Sequence, residues 1–240
     1  MNIPEHRKAI DKLDAHIVRL LNERTRHVLA IGELKIKAGE EIYAPHRERA
    51  VFDRVCEASA GPMTGEQLRA IYREIMSSAL ALEKTMTIAY LGPEATFTHQ
   101  AAIKRFGSSL KYASQKTIAD VFTEVGKNRA DYGVVPVENS TEGVVTHTLD
   151  MFVDSDLKIV SQIVLRVQQC LMIPQGGTRA KIRKLYAHPQ SLAQCRGWIQ
   201  NHLPRVEIIE TSSNARSAEL AAKEPFTAAI GGLLAAEKYG

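Results

Sequence analysis

Charged side chains interrupt the apolar face of the first predicted helix. Pro4 suits a first helical turn and Gly32 is the only breaker before about Lys37, so one helix of roughly 30 residues is predicted. Arg24 falls on its apolar line, and Lys35 lies only about 20° from Arg24 around the helix axis. Both cations are therefore expected to face the core. The apolar line consists of Ile10, Leu13, Ile17, Leu20, Leu21, Val28, Ile31 and Leu34.

A third predicted helix carries an acidic group in the same setting. A second helix is expected from Arg47 to about Glu57, and Thr64 with Gln67 forms a capping box that starts the third. The line of side chains expected to be buried on the third helix ends at Glu83. Before it come Leu68, Ile71, Tyr72, Ile75 and Ala79.

These charges have two interpretations. A charged side chain on a helix is usually solvated, or reaches solvent from a buried stem. For Arg24, Lys35 and Glu83 together we favour a ligand, because an unpaired buried charge is too costly to keep. Surplus cations in an interior call for an anion, and guanidinium groups bind carboxylates through paired hydrogen bonds. The pattern therefore predicts a site for a small dicarboxylate.

The length of the first helix predicts a second subunit. Arg7 and Arg24 are about 25 Å apart on a continuous helix, so they cannot hold one small molecule within the same chain. A helix this long also overhangs a three-helix domain and leaves part of its apolar line exposed. A homodimer whose sites mix residues of both chains accounts for both features.

Six features carry a family resemblance in this region: Arg7, Asp14, Arg24, "IGELK" ending at Lys35, "YAPHRE" containing Arg47 and Glu48, and Glu83. With them, residues 3–85 resemble the all-helical chorismate mutase domains. Glu83 stands where some relatives have glutamine, and Ala44 and Ala79 stand where some have polar residues.

The resemblance implies a role for each residue. Arg7 would come from the partner subunit, and Arg24 and Arg47 would hold the two substrate carboxylates. Lys35 and Glu83 would face the ether oxygen, and Glu48 would bind the ring hydroxyl. The implied reaction, chorismate to prephenate, is unimolecular and needs no nucleophile, metal or other cofactor.

After "EKTMT" the pattern changes from helical to extended. Four apolar strands each lead into small polar residues at an expected helix start, and a fifth ends in Gly-Gly before a last helix. Such alternation predicts a mostly parallel sheet, with ligands beyond the carboxyl ends of its strands. The Ser, Thr and Asn residues have the alternative of being only helix caps, and His188 that of a satisfied histidine. Glu138-Asn139 is harder to explain in this way, because an acidic side chain directly after an apolar strand has little packing value. The candidates are Thr96, Thr98, Glu138, Asn139, Ser140, His188, Gln190, Thr211, Ser212, Ser213 and Asn214.

Four motifs make residues 87–240 similar to prephenate dehydratase domains: "GPEATFTHQAA", "VPVENSTEGVV", "AHPQSLAQC" and "SSNARSAELAA". The resemblance implies a two-lobed α/β fold like that of type II periplasmic binding proteins. It also implies that prephenate loses its carboxylate and ring hydroxyl together to give phenylpyruvate. The implied site is lined by Glu138, Asn139 and Gln190, with Thr96, Thr98 and Ser213 beside them.

The sequence departs from that family in one important respect. The family's Thr-Arg-Phe motif, whose threonine is the favoured acid for hydroxide departure, does not occur here, and neither does the regulatory ACT domain. We therefore expect the front part of a bifunctional enzyme of phenylalanine biosynthesis. Its mutase domain would span 1–86, and a C-terminally incomplete dehydratase domain would span 87–240.

Composition excludes several other classes. Apolar residues make up 45% and charged residues 24% of the 240, as in ordinary soluble proteins. The absence of a long apolar run, of a secretory signal and of paired cysteines predicts a cytoplasmic protein without membrane association. A net charge of +4, evenly spread, argues against nucleic-acid binding. No dinucleotide fingerprint or P-loop is present, so no cofactor is expected.

Two other functions share this domain order. A helical head before a solute-binding-like body also describes LysR-type regulators, but these need a short, basic helix-turn-helix. Residues 1–86 carry 14 Lys and Arg against 13 Asp and Glu, and their first helix is long. A monofunctional mutase with a ligand-sensing second domain is the closer alternative.

Overall fold

The computed structural model describes residues 2–40, 43–140 and 143–240. The chain divides into two compact units. The first comprises the chain up to Met86 together with Phe106–Lys111, and the second comprises Thr87–Arg105 and Tyr112–Gly240. No helix in the described ranges is both long enough and apolar enough to span a membrane.

The first unit contains three helices whose ends follow local capping chemistry. Asn2 accepts the Glu5 N–H at 3.0 Å while the Glu5 carboxylate accepts the Asn2 N–H at 2.9 Å, and Gly39 ends the helix in a left-handed conformation. The predicted Thr64–Gln67 capping box starts the third helix. The three predicted helices are confirmed as α1 Ile3–Ala38, α2 Pro45–Glu57 and α3 Gly65–Glu83.

The apolar line of α1 is largely exposed in the single chain. Gly32 is buried, and Leu21 and Val28 are half-buried. The expectation that part of this line stays exposed in a single chain is confirmed. The physical reason is length, because α1 has 36 residues while α2 has 13 and α3 has 19. On α3, Ile71 is also 47% exposed, contrary to expectation. Six side chains of this line are 50% to 64% exposed: Ile10, Leu13, Ile17, Leu20, Ile31 and Leu34.

The second unit begins with a three-stranded sheet in the order β2-β1-β3, in which β1 and β3 are parallel. Ala89 of β1 and Val121 of α5 form its small buried core. A two-stranded hairpin and one helix follow. The elements are β1 Thr87–Leu91, α4 Phe97–Phe106, β2 Lys111–Gln115, α5 Ile118–Gly126, β3 Tyr132–Val134, β4 Glu138–Asn139, β5 Gly143–Val144 and α6 Thr146–Val153.

A four-stranded sheet in the order β6-β9-β7-β8 completes the second unit. β9, β7 and β8 are parallel, whereas β6 is antiparallel to β9. Leu185, Ile199 and Ile230 lie in its core. The elements are β6 Cys170–Met172, a 3₁₀ turn Arg179–Lys181, β7 Lys184–Ala187, α7 Pro189–His202, β8 Glu207–Glu210, α8 Asn214–Ala221, β9 Thr227–Gly231 and α9 Leu233–Tyr239.

This architecture confirms the predicted fold class, a helical domain followed by a two-lobed α/β domain, and corrects one detail. "VPVENSTEGVV" was expected to run from a strand into a helix start, but it forms the hairpin β4–β5. Pro136 lacks the N–H that would extend β3, and the helix begins only at Thr146. Thr141 and Glu142 of this motif lie outside the described residues.

Candidate functional site

The carboxylate of Glu83 lies against the backbone of α1. A Cβ atom placed on Gly32 would be 2.7 Å from Oε2 of Glu83 and 3.3 Å from its Cδ. Any side chain at this position would therefore push the carboxylate away. Gly32 thus allows the last turn of α3 to bring an acidic group to the surface of α1.

Arg24, Lys35 and Glu83 form one electrostatic cluster at this crossing. Burial raises the pKa of Glu83 above its ordinary value, while Lys35 and Arg24 act in the opposite direction. Nη1 of Arg24 is buried and, in the part of the chain that the structure describes, has no hydrogen-bond partner. A buried donor without a partner is costly to the folded state. The cluster is therefore suited to an anionic ligand that accepts from this guanidinium.

The start of α2 presents two further predicted mutase residues. Pro45 occupies the first turn, Arg47 is exposed and Glu48 is half-buried. The hydroxyl of the buried Tyr43 donates to Oε2 of Glu48 at 3.1 Å. This contact fixes the Glu48 carboxylate near the N-terminus of α2, where negative charge is favoured.

Arg7 lies far from this cluster. α1 is continuous from Ile3 to Ala38, so Arg7 and Arg24 are about 25 Å apart along its axis. Arg7 is exposed on the first turns. One chain therefore does not bring Arg7 to Arg24, as the sequence led us to expect.

A second polar cluster lies at the carboxyl ends of β7 and β8. Ser191, only 1% exposed, donates to Oδ1 of Asn214 at 2.8 Å and so joins the first turns of α7 and α8. A Cβ atom on Gly231, at the end of β9, would lie 3.2 Å from Cβ of Asn214. Two helix N-termini therefore meet at the edge of the sheet, where backbone N–H groups favour an anion.

Several predicted ligand residues at this edge act as caps. Nδ1 of His188 accepts the Gln190 N–H at 3.3 Å, and the Ser213 hydroxyl accepts the Arg216 N–H at 3.1 Å. The capping interpretation therefore applies to His188 and Ser213. Gln190 is half-buried in the first turn of α7, directly before Ser191.

The turn between β1 and α4 is held by side chains from its own ends. Thr96 donates to the Leu91 carbonyl at 3.2 Å and accepts the His99 N–H at 3.3 Å. Nδ1 of His99 accepts the N–H of Ala95, a residue with a left-handed φ of 64°. The His99 ring stacks on Tyr90 at 4.4 Å, and burial lowers the pKa of His99. Thr96 is thus another cap.

Three other predicted site residues lie on α4 and in the β4–β5 hairpin: Thr98, Glu138 and Asn139. Thr98 is half-buried in the first turn of α4. Glu138 is exposed and pairs with Val144 in the hairpin, and Asn139 pairs with Gly143. Their roles in ligand binding remain predictions.

Sequence reasoning did not identify three residues that belong to these sites. Gly32 was considered only as a helix breaker, although a glycine inside a helix can have a packing reason. Ser191 follows Gln190 in "HPQSLAQC", and nothing in that motif marked it as part of a site. His99 had no signal of its own, because its role depends on the fold of the turn before it.

Metal ligation has no support at these positions. Across residues 2–40, 43–140 and 143–240, no group of three or more His, Cys, Asp or Glu side chains is arranged to hold a metal ion.

The two halves of the chain match two family models. Residues 88–240 match prephenate dehydratase, and residues 6–84 match chorismate mutase type II. Because the first match covers more than half of the chain, the protein belongs to the prephenate dehydratase family, with a chorismate mutase domain ahead of that region. Both resemblances drawn from the motifs are therefore confirmed.

Curated relatives combine the same two regions. The bifunctional chorismate mutase/prephenate dehydratase of Aquifex aeolicus (strain VF5) is 46% identical over 99% of this chain and 66% of its own length. That of Neisseria gonorrhoeae (strain ATCC 700825 / FA 1090) is 47% identical over 98% of this chain and 65% of its own. The chain thus spans slightly less than two thirds of these relatives.

Solved structures match about two thirds of the chain. Prephenate dehydratase from Arthrobacter aurescens, in complex with L-Phe, has a TM-score of 0.58 and 31% identity, over 64% of this chain and 52% of that one. GqqA, described as a novel type of quorum quenching acylase, has a TM-score of 0.58 and 26% identity, over 64% and 56%. Because two differently named proteins share this fold, function must be argued from the site.

Proposed function

We propose that the helical region rearranges chorismate to prephenate, and that the α/β region takes prephenate as its substrate. In the complete enzyme the second step would give phenylpyruvate by loss of carboxylate and hydroxide. The observation that supports the first step best is the buried Nη1 of Arg24, which lies beside Lys35 and Glu83 and has no hydrogen-bond partner among the described residues. The relatives' printed names support the pairing of both steps.

The rearrangement requires positioning and charge stabilisation only. Chorismate carries two carboxylates, and Arg24 and Arg47 would hold them so that the substrate adopts its bent, reactive conformer. Lys35 and protonated Glu83 would donate to the ether oxygen, where negative charge grows as the C–O bond breaks. The raised pKa of Glu83 favours the protonated, donating form.

In the α/β region, prephenate would bind at the edge where β7 and β8 end. The first turns of α7 and α8, joined by Ser191 and Asn214, present backbone N–H groups to its carboxylates. Glu138, Asn139 and Gln190 would line the site, with Thr96, Thr98 and Ser213 holding the surrounding turns.

The proposed mutase is a homodimer. The exposed apolar line of α1 gives a second copy a surface to cover, and Arg7 of the partner subunit would complete each site. We also infer a cytoplasmic location, since Cys56, Cys170 and Cys195 are all free thiols. No nucleic acid, membrane or cofactor takes part in this proposal.

A purified chain tests the first step directly. Chorismate absorbance should fall with time and prephenate should form in equal amount. Arg24→Ala should lower the rate by about 10²–10³-fold, because an oriented charged donor is lost. Arg19→Ala, an exposed arginine on the same helix, is the matched control and should retain activity. If wild type leaves chorismate unchanged, or if both variants behave alike, the proposed mutase function is wrong.

A further inference from the structure

A short segment after α4 belongs to the helical unit, although its sequence lies in the other half. α4 ends at Phe106, and Phe106–Lys111 is part of the first compact unit. The match to the prephenate dehydratase family covers 88–240 and so includes these residues. The helical unit therefore contains residues from both family matches.

Hydrogen bonds attach this segment to α3. The Glu74 carboxylate accepts the Ser108 N–H at 3.0 Å and the Ser108 hydroxyl at 2.5 Å. The Ser77 hydroxyl accepts the Ser109 N–H at 3.2 Å. The bonds to Glu74 involve a charged acceptor, which makes them stronger than bonds between neutral groups.

Close packing fixes the segment as well. Gly107 has a φ of +79°, and a Cβ atom on it would lie 2.4 Å from Cβ of Ser77. Ser77 is 3% exposed, Phe106 is 8% exposed and Leu110 is 7% exposed. The turn therefore fits α3 only with glycine at this position, and it buries an aromatic ring on one side.

That ring leads to a predicted mutase residue. The Phe106 and Tyr43 ring centroids are 5.7 Å apart, and the rings are tilted by 45°. Tyr43 is buried, and its hydroxyl donates to Oε2 of Glu48 at 3.1 Å. Removing Phe106 would leave space beside the Tyr43 ring, so the hydroxyl would no longer be held toward Glu48.

We propose that Phe106 is a positioning residue of the mutase site, acting through Tyr43 on the Glu48 carboxylate. This inference rests on the proposed function and on the role that the family resemblance implies for Glu48, which is to bind the ring hydroxyl of chorismate. Substrate binding by the helical domain then depends on Phe106–Lys111, a segment supplied by the dehydratase part of the sequence. A binding contact held in this way affects KM more than kcat.

A double-mutant cycle in the full chain tests the proposal. Phe106→Ala and Tyr43→Phe should each raise KM for chorismate by about tenfold, with kcat within about twofold. The double variant should be little worse than either single variant, because both act through the same contact. Phe106→Leu, which refills most of the space, should recover most of the affinity.

Two further variants separate positioning from general damage. Phe152→Ala removes one ring of the Phe122–Phe152 pair in the second unit, at 4.8 Å, and should leave mutase KM unchanged. Glu74→Gln weakens the attachment of the segment without touching the rings, and should raise KM by about threefold. If circular dichroism shows that Phe106→Ala does not fold, Glu74→Gln tests the proposal instead.

Independent effects of Phe106→Ala and Tyr43→Phe would overturn the proposal, as would an unchanged KM in Phe106→Ala or in the fallback Glu74→Gln. Inactivity of the wild type toward chorismate is a separate result, and it would count against the proposed function.

Discussion

The helical unit and the edge of the four-stranded sheet satisfy their polar groups in different ways. In the helical unit, Nη1 of Arg24 is buried and has no hydrogen-bond partner within the described ranges, and Glu83 has a raised pKa. At the sheet edge, Ser191 is bonded to Asn214, and Ser213 caps α8. The first cluster holds a guanidinium nitrogen for which the described residues supply no hydrogen-bond partner, whereas the polar groups of the second cluster bond to one another or cap a helix.

Because of this difference, substitutions in the two clusters should affect activity and folding free energy to different extents. A residue whose partner comes from outside the protein can be replaced with little loss of folding free energy, and sometimes with a gain. A residue that caps a helix or joins two helices costs about 1 kcal/mol or more when it is lost, whatever its role toward a ligand. Substitutions in the helical cluster should therefore separate activity from stability more cleanly than those at the sheet edge.

The largest expected effect tests whether the helical cluster is completed by a second chain. Arg7→Ala and Arg24→Ala should each lower mutase activity by about 10²-fold or more. After subunit exchange in an equal mixture, half of the dimers are mixed, and each has one intact site. Activity should then recover to about a quarter of wild type.

A second mixture serves as the control for that recovery. Arg24→Ala with Lys35→Ala places one lesion in every site of a mixed dimer, so it should recover nothing. Absence of recovery in the Arg7 mixture, with exchange verified by mass spectrometry, would mean that the sites are not shared.

The next effect concerns the close approach of α1 and α3. Gly32→Ala places a methyl group 2.7 Å from the Glu83 carboxylate and should lower mutase activity by about tenfold or more. Gly197→Ala is the matched control, since it also lies within a helix but faces open space. The control should raise the free energy of unfolding by about 0.5–1 kcal/mol without changing activity. Equal activities would show that the crossing does not position Glu83.

Sequence reasoning succeeded where periodicity carried the information. The 3.6-residue repeat placed Arg24 and Lys35 on one line of α1, and the capping box gave the start of α3 at Gly65. Strand-to-helix alternation gave most of the α/β order in the same way. These features depend on residues close in the chain, so local chemistry decides them.

Sequence reasoning failed where residues distant in the chain decide the structure. Ile71 of α3 was expected to be buried and is 47% exposed, and the hairpin at Glu138 replaced an expected helix start. The direction of the Glu83 pKa shift was also open, because burial opposes the charges of Lys35 and Arg24. The structure gives burial as the larger effect.

A smaller effect tests the protonation state of the helical cluster. Lys35 and Arg24 face Glu83, and burial still raises its pKa. The protonated acid can donate to the ether oxygen and the carboxylate cannot. Mutase rate should therefore fall as pH rises through that pKa, measured from about pH 5 to 9. Glu83→Gln should flatten the fall, with its largest relative gain, up to about tenfold, at high pH.

Glu66→Gln, an exposed carboxyl on the same helix, should leave the profile unchanged. Parallel profiles for wild type and Glu83→Gln would remove Glu83 from the reacting oxygen.

The smallest effect probes the α/β region, where polar groups hold the backbone. Nδ1 of His99 accepts the Ala95 N–H, which only an imidazole unprotonated at that nitrogen can do. Burial has the largest effect on the pKa of His99 and lowers it; Glu94 raises this pKa and Lys238 lowers it. The rings of Tyr90 and Tyr112 pack against the imidazole ring. The pKa of His99 is therefore lower in the folded state than its unfolded-state value near 6.5, so His99 contributes to the free energy of unfolding at pH values above about 6.5. This contribution is lost as the pH falls through the folded-state pKa.

The melting temperature of wild type should therefore drop by about 2–4 °C more than that of His99→Asn between pH 7.5 and 5. Asparagine offers an oxygen where Nδ1 lies and cannot gain a proton in this range. His202→Asn is the matched control, because His202 also stacks on an aromatic ring, Trp198 at 4.6 Å, but is exposed on α7. It should not alter the pH dependence. Identical slopes for wild type and His99→Asn would mean that the turn after β1 does not depend on a neutral histidine, and that this region resembles the helical cluster more closely than we argue.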